Sequence, residues 1–111
     1  MKRAYILFSQ NRGAKKDLER YVRYALRCGV APIVPETYAV LLKTLTPEER
    51  ELATAAGRSY LWTCDELWVI GNKVTRHMHE EIDFCRHLNI RIRRISDADV
   101  ENMIGGERDE R

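Results

Sequence analysis

The sequence predicts an α/β protein of the flavodoxin-like (Rossmann-like) kind: a three-layer sandwich around a parallel sheet of about four strands, in the order 2-1-3-4. Three observations predict it. Short apolar runs at residues 4–8, 31–35, 67–70 and 90–95 alternate with longer segments whose apolar residues recur at helical spacing. The first and third runs are apolar throughout, as strands covered on both faces are. The segments between them suit right-handed helical crossovers and leave no room for a second core in 111 residues. Residues 1–104 are therefore read as one domain and 105–111 as a charged tail that frays.

Each element has its own warrant. Ala4-Tyr-Ile-Leu-Phe8 is aromatic and β-branched, and the polar stretch Ser9-Gln-Asn-Arg-Gly13 closes it. Leu18, Tyr21, Val22, Ala25 and Cys28 then mark one face of a helix that stops before Gly29. Ala31-Pro-Ile-Val-Pro35 is a strand that its prolines confine to an edge. Residues 37–45 read as a short helix or an ordered loop. Thr46-Pro-Glu-Glu-Arg is a helix start, with a cap, Pro in the first turn and acids beside it, and the helix is expected to run to about Cys64. Gly71-Asn72 ends the third strand, and Thr75 caps a helix with Met78, Ile82, Cys85 and Leu88 on its apolar side. Ile90-Arg-Ile-Arg-Arg-Ile95 alternates as a half-exposed fourth strand, and 97–104 is a last helical turn or two. Trp62 and Trp68 read as packing residues.

Composition narrows the function. Nineteen basic against seventeen acidic residues leave a net charge of +2, with the signs interspersed, which is an ordinary solvated surface and no footprint for a nucleic acid polymer. Arg91, Arg93 and Arg94 read as the wet side of a strand. Three scattered cysteines suggest neither a disulfide framework nor a zinc knuckle, so a reducing, cytoplasmic setting is expected. The apolar run after Lys2 and Arg3 is too short for a signal peptide or a membrane span, and no membrane partner is expected.

The 2-1-3-4 order opens a crevice between the C-terminal ends of the first and third strands. It is expected to bring Ser9, Gln10, Asn11, Arg12 and Gly13 toward Thr75, His77, Met78 and the start of their helix, donor groups suited to a phosphate or sugar. A carboxylate in such a pocket can attack an anomeric carbon, and Glu81 is the candidate. Its plain alternative is a solvated helix acid. His77 and Glu81 share a helical face, with His79 and His87 nearby, but with no second ligand cluster no metal site is assigned.

Tyr5-x-x-x-Ser9, Arg12-Gly13, Asp65-Glu-Leu-Trp-Val-Ile-Gly71 and Thr75-x-x-Met78-x-x-Glu81 together resemble the nucleoside 2-deoxyribosyltransferase-like superfamily. Ala31-Pro-Ile-Val-Pro35 and Pro47-Glu-Glu-Arg-Glu-Leu52 fit a branch of small bacterial and phage proteins within it, and the resemblance spans residues 4–95. It implies Glu81 as nucleophile at C1′ of a deoxynucleoside or deoxynucleotide and Tyr5 as the side chain that orients it. It places Ser9, Arg12, Gly13 and Thr75 around the ligand. It also implies an N-glycosidase or deoxyribosyltransferase that needs no metal or organic cofactor, and a homo-oligomer, dimer or higher, whose neighbouring subunit completes the pocket.

Two departures qualify that expectation. His77 stands where such proteins have Gly, and Gly57 where they carry an Asp that assists departure of the base. Without that acid, the alternative expectation is a non-catalytic nucleotide-binding or sensing module with the same cleft.

Overall fold

The computed structural model describes residues 1–9, 14–35, 37 and 44–108, backbone only from 105 onward. The elements are β1 (Arg3–Leu7), α1 (Ala14–Arg27), β2 (Ala31–Ile33), α2 (Pro47–Arg58), a 3₁₀ turn at Leu61–Thr63, β3 (Glu66–Ile70), α3 (Arg76–His87), β4 (Arg91–Ile95) and α4 (Asp97–Arg108). The four strands are all parallel, in the order β2-β1-β3-β4, with Tyr5 opposite both Ile33 and Leu67. This is the flavodoxin-like sandwich that the apolar runs predict.

Strand pleating divides the core in two. Ala4, Ile6 and Phe8 face one side with Trp68 and Ile70, and α1 and α4 cover them through Tyr21, Tyr24, Ala25, Val100 and Ile104. The rings of Phe8 and Tyr21 meet edge-on at 5.3 Å, and those of Tyr24 and Trp68 at 5.9 Å. Tyr5, Leu7, Leu67 and Val69 face the other side, beneath Met78, Ile82 and Cys85 of α3. β1 and β3 are buried on both faces, which is why neither alternates in sequence.

Several boundaries differ from the sequence reading. α2 begins as expected, with the Thr46 N–H donating to Glu49 at 2.9 Å and the Glu49 N–H donating to the Thr46 hydroxyl at 3.1 Å. It stops at Arg58, six residues short of Cys64, because Leu61 turns into the core while Trp62 swings out to 75% exposure. Trp62 is thus no packing residue, whereas Trp68 is. On α1 the buried face carries Tyr24 in place of Cys28, which is exposed beyond the helix end. α4 continues through Gly105 and Gly106 to Arg108, past its expected end at Ile104. Of the expected helix or loop at 37–45, residues 38–43 lie outside the described residues.

β4 is an edge strand armed with arginines, and three of the four side chains around buried Glu66 are cations. Trp68 Nε1 donates to its carboxylate at 2.8 Å and Lys2 Nζ at 3.2 Å, with Arg93 at 3.7 Å and Arg91 at 3.9 Å. Arg93 also lies over the Trp68 ring at 5.1 Å. Burial alone would push the Glu66 carboxyl up, but these hydrogen bonds and charges together hold it below the usual carboxylate range. A lowered value stabilises the fold above the ordinary carboxylate pKa, and the gain disappears as pH falls through the lowered one. Glu66→Gln is therefore expected to cost about 1–3 kcal/mol at pH 7, with the gap to wild type closing in acid. Urea melts from pH 7 down to pH 3 measure it, and a gap that stays constant with pH would remove the charge argument.

Candidate functional site

Among the described residues a cavity lies on each face of the sheet near the C-terminal ends of the strands. The larger, about 220 Å³, lies on the α3 side and is lined by Tyr5, Pro35 and Leu45, by Arg50, Ala53 and Thr54 of α2, and by His77 and Glu81 of α3. The smaller, about 120 Å³, lies on the α1 side among Ser9, Tyr21, Gly71, Lys73 and Asp97. The single crevice expected from the strand order is thus split by the sheet itself. Tyr5, His77 and Glu81 come together as expected, but Ser9 belongs to the other cavity. Gln10, Asn11, Arg12 and Gly13 lie outside the described residues.

Glu81 is not the solvated helix acid of its plain reading. It is 2% exposed, because it shares the inward face of α3 with Met78, Ile82 and Cys85. Burying a carboxylate is costly without a partner. Arg58, at the end of α2, supplies one: its Nε and Nη2 both donate to Glu81 Oε1, at 2.9 and 2.7 Å. Those bonds push the guanidinium pKa further up, and the same group lies over the Phe84 ring at 4.7 Å. Glu81 Oε2 is buried with no hydrogen-bond partner among the described residues. The carboxylate is therefore desymmetrised, with one oxygen clamped and the other unsatisfied beside a cavity. Glu80, one position away, points outward at 61% exposure and pairs loosely with Arg76 at 3.9 Å.

Two members of the expected ligand set, Met78 and Thr75, are engaged within the protein. Met78 is 1% exposed, packs in the core with Tyr5 and Leu7, and is not among the described residues that line the larger cavity. Its N–H donates to the Thr75 hydroxyl at 3.3 Å, and the Thr75 N–H donates to the Met78 sulfur at 3.4 Å. Thr75 spends its side chain on capping α3, and the expected anion site loses the Met78 amide. His77 is solvent-exposed and marks the mouth of the larger cavity.

Gly57 has a packing reason. A Cβ there would sit 2.5 Å from Pro35 Cβ and 3.1 Å from the Tyr5 hydroxyl, so α2 approaches β1 and the Pro35 segment more closely than any side chain permits. The position is filled space, not a gap left by a lost acid. Gly71, at φ 103°, makes the corresponding close approach in the smaller cavity, with its missing Cβ 3.3 Å from the Tyr21 hydroxyl, which donates to Asp97 at 2.6 Å.

Arg50 and Arg58 are the residues that the sequence reading missed. The signal was present: Arg50, Ala53, Thr54, Gly57 and Arg58 fall at i, i+3, i+4, i+7 and i+8, one stripe of α2. Arg50, Ala53 and Thr54 of this stripe wall the larger cavity, and Gly57 and Arg58 continue it to Pro35 and Glu81, so a search for apolar stripes passes over it.

Cys85 sits one turn beyond Glu81 and is fully buried. Burial, and then the Glu81 charge, push its thiol up to about 11. A raised value stabilises the fold below the ordinary thiol pKa, and that contribution is lost as pH rises through about 11. Iodoacetamide at pH 8 is expected to label exposed Cys28 readily and Cys85 only after unfolding. Peptide mass spectrometry reads the order, and comparable rates at both sites would contradict it.

A doubly wound sheet with a clamped carboxylate facing a small cavity beside its first strand defines a flavodoxin-like domain. The chain belongs to the family described as Domain of unknown function (DUF7768), whose model matches residues 8–95, a span that includes Arg50, Arg58, His77 and Glu81. No curated protein and no solved structure matches the chain. Among the described residues no helix is long and apolar enough to cross a membrane, and no three His, Cys, Asp or Glu side chains are grouped to hold a metal ion.

Proposed function

We propose that the protein is a nucleoside or nucleotide N-glycosidase, or a deoxyribosyltransferase of the same chemistry, with Glu81 as its nucleophile. The observation that carries this reading is Glu81 Oε2, a buried carboxylate oxygen without a hydrogen-bond partner among the described residues, beside a cavity that Tyr5 also lines. The resemblance to the nucleoside 2-deoxyribosyltransferase-like superfamily supports the same two residues. In the proposed reaction Oε2 forms a bond to C1′ as the C1′–N bond breaks, and the electron pair leaves on the base nitrogen. In this reading His77, an exposed residue that lines the cavity, hands that nitrogen a proton. Water, or a second base, then displaces Glu81 from C1′, giving its proton back to His77 and restoring the free carboxylate. Arg58 holds Oε1 throughout, so the attacking oxygen is fixed and no rotation of the carboxylate is needed.

A second reading has its own observation. Glu81 is the single carboxylate among the described lining residues, and Gly57 has no room for the acid expected there. That favours a cleft that binds nucleotides without cleaving them. The deciding experiment incubates the full chain with deoxynucleosides and their monophosphates and looks for free base by chromatography. Base release supports the glycosidase; saturable binding with no release supports the sensing module; neither would sink both.

A further inference from the structure

The sheet leaves an edge open at β4. This is the outermost strand in the order β2-β1-β3-β4, and no strand among the described residues lies beyond it. The Gly71 N–H donates to the Ile95 carbonyl at 2.9 Å, so Ile95, and with it Arg93 and Arg91, turns its backbone groups toward β3. The alternate residues Ile92 and Arg94 therefore turn their N–H and C=O groups outward, a short template for one more strand. Side chains alternate as well. Arg91 and Arg93 lie on the face where Ile95 packs against the α1 and α4 side, and Ile92 lies on the α3 side.

Charge decides what fits that edge. Both oxygens of Glu66 are already taken, Oε1 by Trp68 Nε1 at 2.8 Å and Oε2 by Lys2 Nζ at 3.2 Å. Arg93 and Arg91 reach the same carboxylate only at 3.7 and 3.9 Å, beyond hydrogen-bond distance, and the Arg91 side chain is 75% exposed. Three cations thus share one carboxylate beside open backbone. Such an edge repels its own kind, since β4 of a second copy would set arginine against arginine on one face. The other edge, β2, offers no acid, and its Pro32 has no N–H to donate. A strand of opposite charge meets neither obstacle.

We propose that β4 is a docking edge for an extended acidic peptide segment of another protein. The segment adds as a fifth strand, with Asp or Glu at alternate positions beside Arg91 and Arg93 and β-branched residues between them beside Ile92. Hydrogen bonds to the backbone of Ile92 and Arg94 supply affinity, and the arginines supply the choice of partner. A nucleic acid would meet the cations but leave the outward C=O groups unanswered.

The test uses the full chain and a labelled, end-capped peptide of alternating Glu and Val, about eight residues long, read by fluorescence anisotropy. The comparison probes are the same peptide with Lys for Glu, the same peptide N-methylated at every residue, and a single-stranded DNA oligonucleotide of similar net charge. The Glu and Val peptide is expected to bind, and the Lys and N-methylated peptides to bind at least about tenfold more weakly. Arg91→Glu should weaken binding by at least about tenfold, and Arg91→Gln by less. Arg91 is exposed, so both variants are expected to fold, and thermal melts check this. Amide exchange followed by NMR should slow at Ile92 and Arg94 in the complex. No binding, equal binding of the N-methylated peptide, binding unchanged in Arg91→Glu, or unchanged exchange at Ile92 and Arg94 would each overturn the proposal. Tighter binding of the DNA would assign the cations to nucleic acid. Binding seen only after Asp109→Asn and Glu110→Gln would assign the edge to the chain's own C-terminal segment, and either result removes the peptide partner. None of these readouts depends on base release, so the proposal stands or falls apart from the Glu81 reaction.

Discussion

Glu81→Gln is expected to abolish base release from deoxynucleotides, a loss of roughly three orders of magnitude or more, as removal of a covalent nucleophile does. The amide keeps the size of the carboxylate and can still accept from Arg58, so binding and folding should be largely preserved. The ion pair it loses is shared with a side chain that is 39% exposed, and solvent screens such a pair. Only the nucleophilic charge on the unpartnered oxygen disappears. Chromatography of free base, run beside calorimetric binding for wild type and variant, separates the two effects. Release that persists at near wild-type rate in Glu81→Gln would remove Glu81 from the chemistry. Equal loss of binding would mean that the carboxylate serves recognition alone, which is the sensing reading. Addition of a chelator should leave release unchanged in either protein.

The second large effect concerns a position where helix propensity and packing give opposite signs. Gly57 lies inside α2, where Gly→Ala ordinarily stabilises by about 1 kcal/mol. Here the added methyl would fall 2.5 Å from Pro35 Cβ, and neither Pro35 nor the helix backbone is the free end of a flexible chain. Overpacking of this kind costs about 1–3 kcal/mol, occasionally more. Gly57→Ala is therefore expected to destabilise, by enough to lower Tm by roughly 4–8 °C for each net kcal/mol. It should also push α2 outward and loosen the Arg58 clamp on Glu81, since the two positions are adjacent. Gly57→Asp should be worse still and should restore no activity, because the carboxylate has nowhere to go. Differential scanning calorimetry decides the sign. A Gly57→Ala variant more stable than wild type would show that the close approach of α2 to Pro35 is not maintained, and with it the cavity geometry would be in doubt.

These two residues show how unevenly the site can be read. Glu81 is legible as a candidate because Thr75, Met78, Ile82 and Cys85 set the helical phase of α3, and Glu81 falls on the same side as Met78 and Cys85. Its alternative as a surface acid is removed by its burial and its pairing with Arg58, and the partner comes from a different helix 23 residues earlier. No local pattern announces such a pair. Its place at the helix start puts Met78 in the expected ligand set, yet α3 packs so closely on β1 and β3 that Met78 becomes core. Gly57 looked like a missing acid because a one-dimensional comparison shows which residue is absent and cannot show what occupies the space.

The sequence by itself determined the sheet. Apolar runs too short for helices, apolar on both faces in β1 and β3, bounded by Gly71-Asn72 or by prolines, leave a parallel 2-1-3-4 order as the economical solution, since buried strands need cover on both sides and crossovers are right-handed. It also determined the helix starts, because a capping residue and its partner three positions on act within one turn. Where helices end, and which polar side chains go inside, was decided only in three dimensions. Leu61 ends α2 early by turning into the core, and Ser9, two residues past the end of β1, lies in the smaller cavity although the strand pleat turns Tyr5 and Leu7 toward the other face. Whether a charged side chain is buried depends on the free energy of the partner that meets it, and Arg58 reaches Glu81 only because Gly57 lets α2 come close enough.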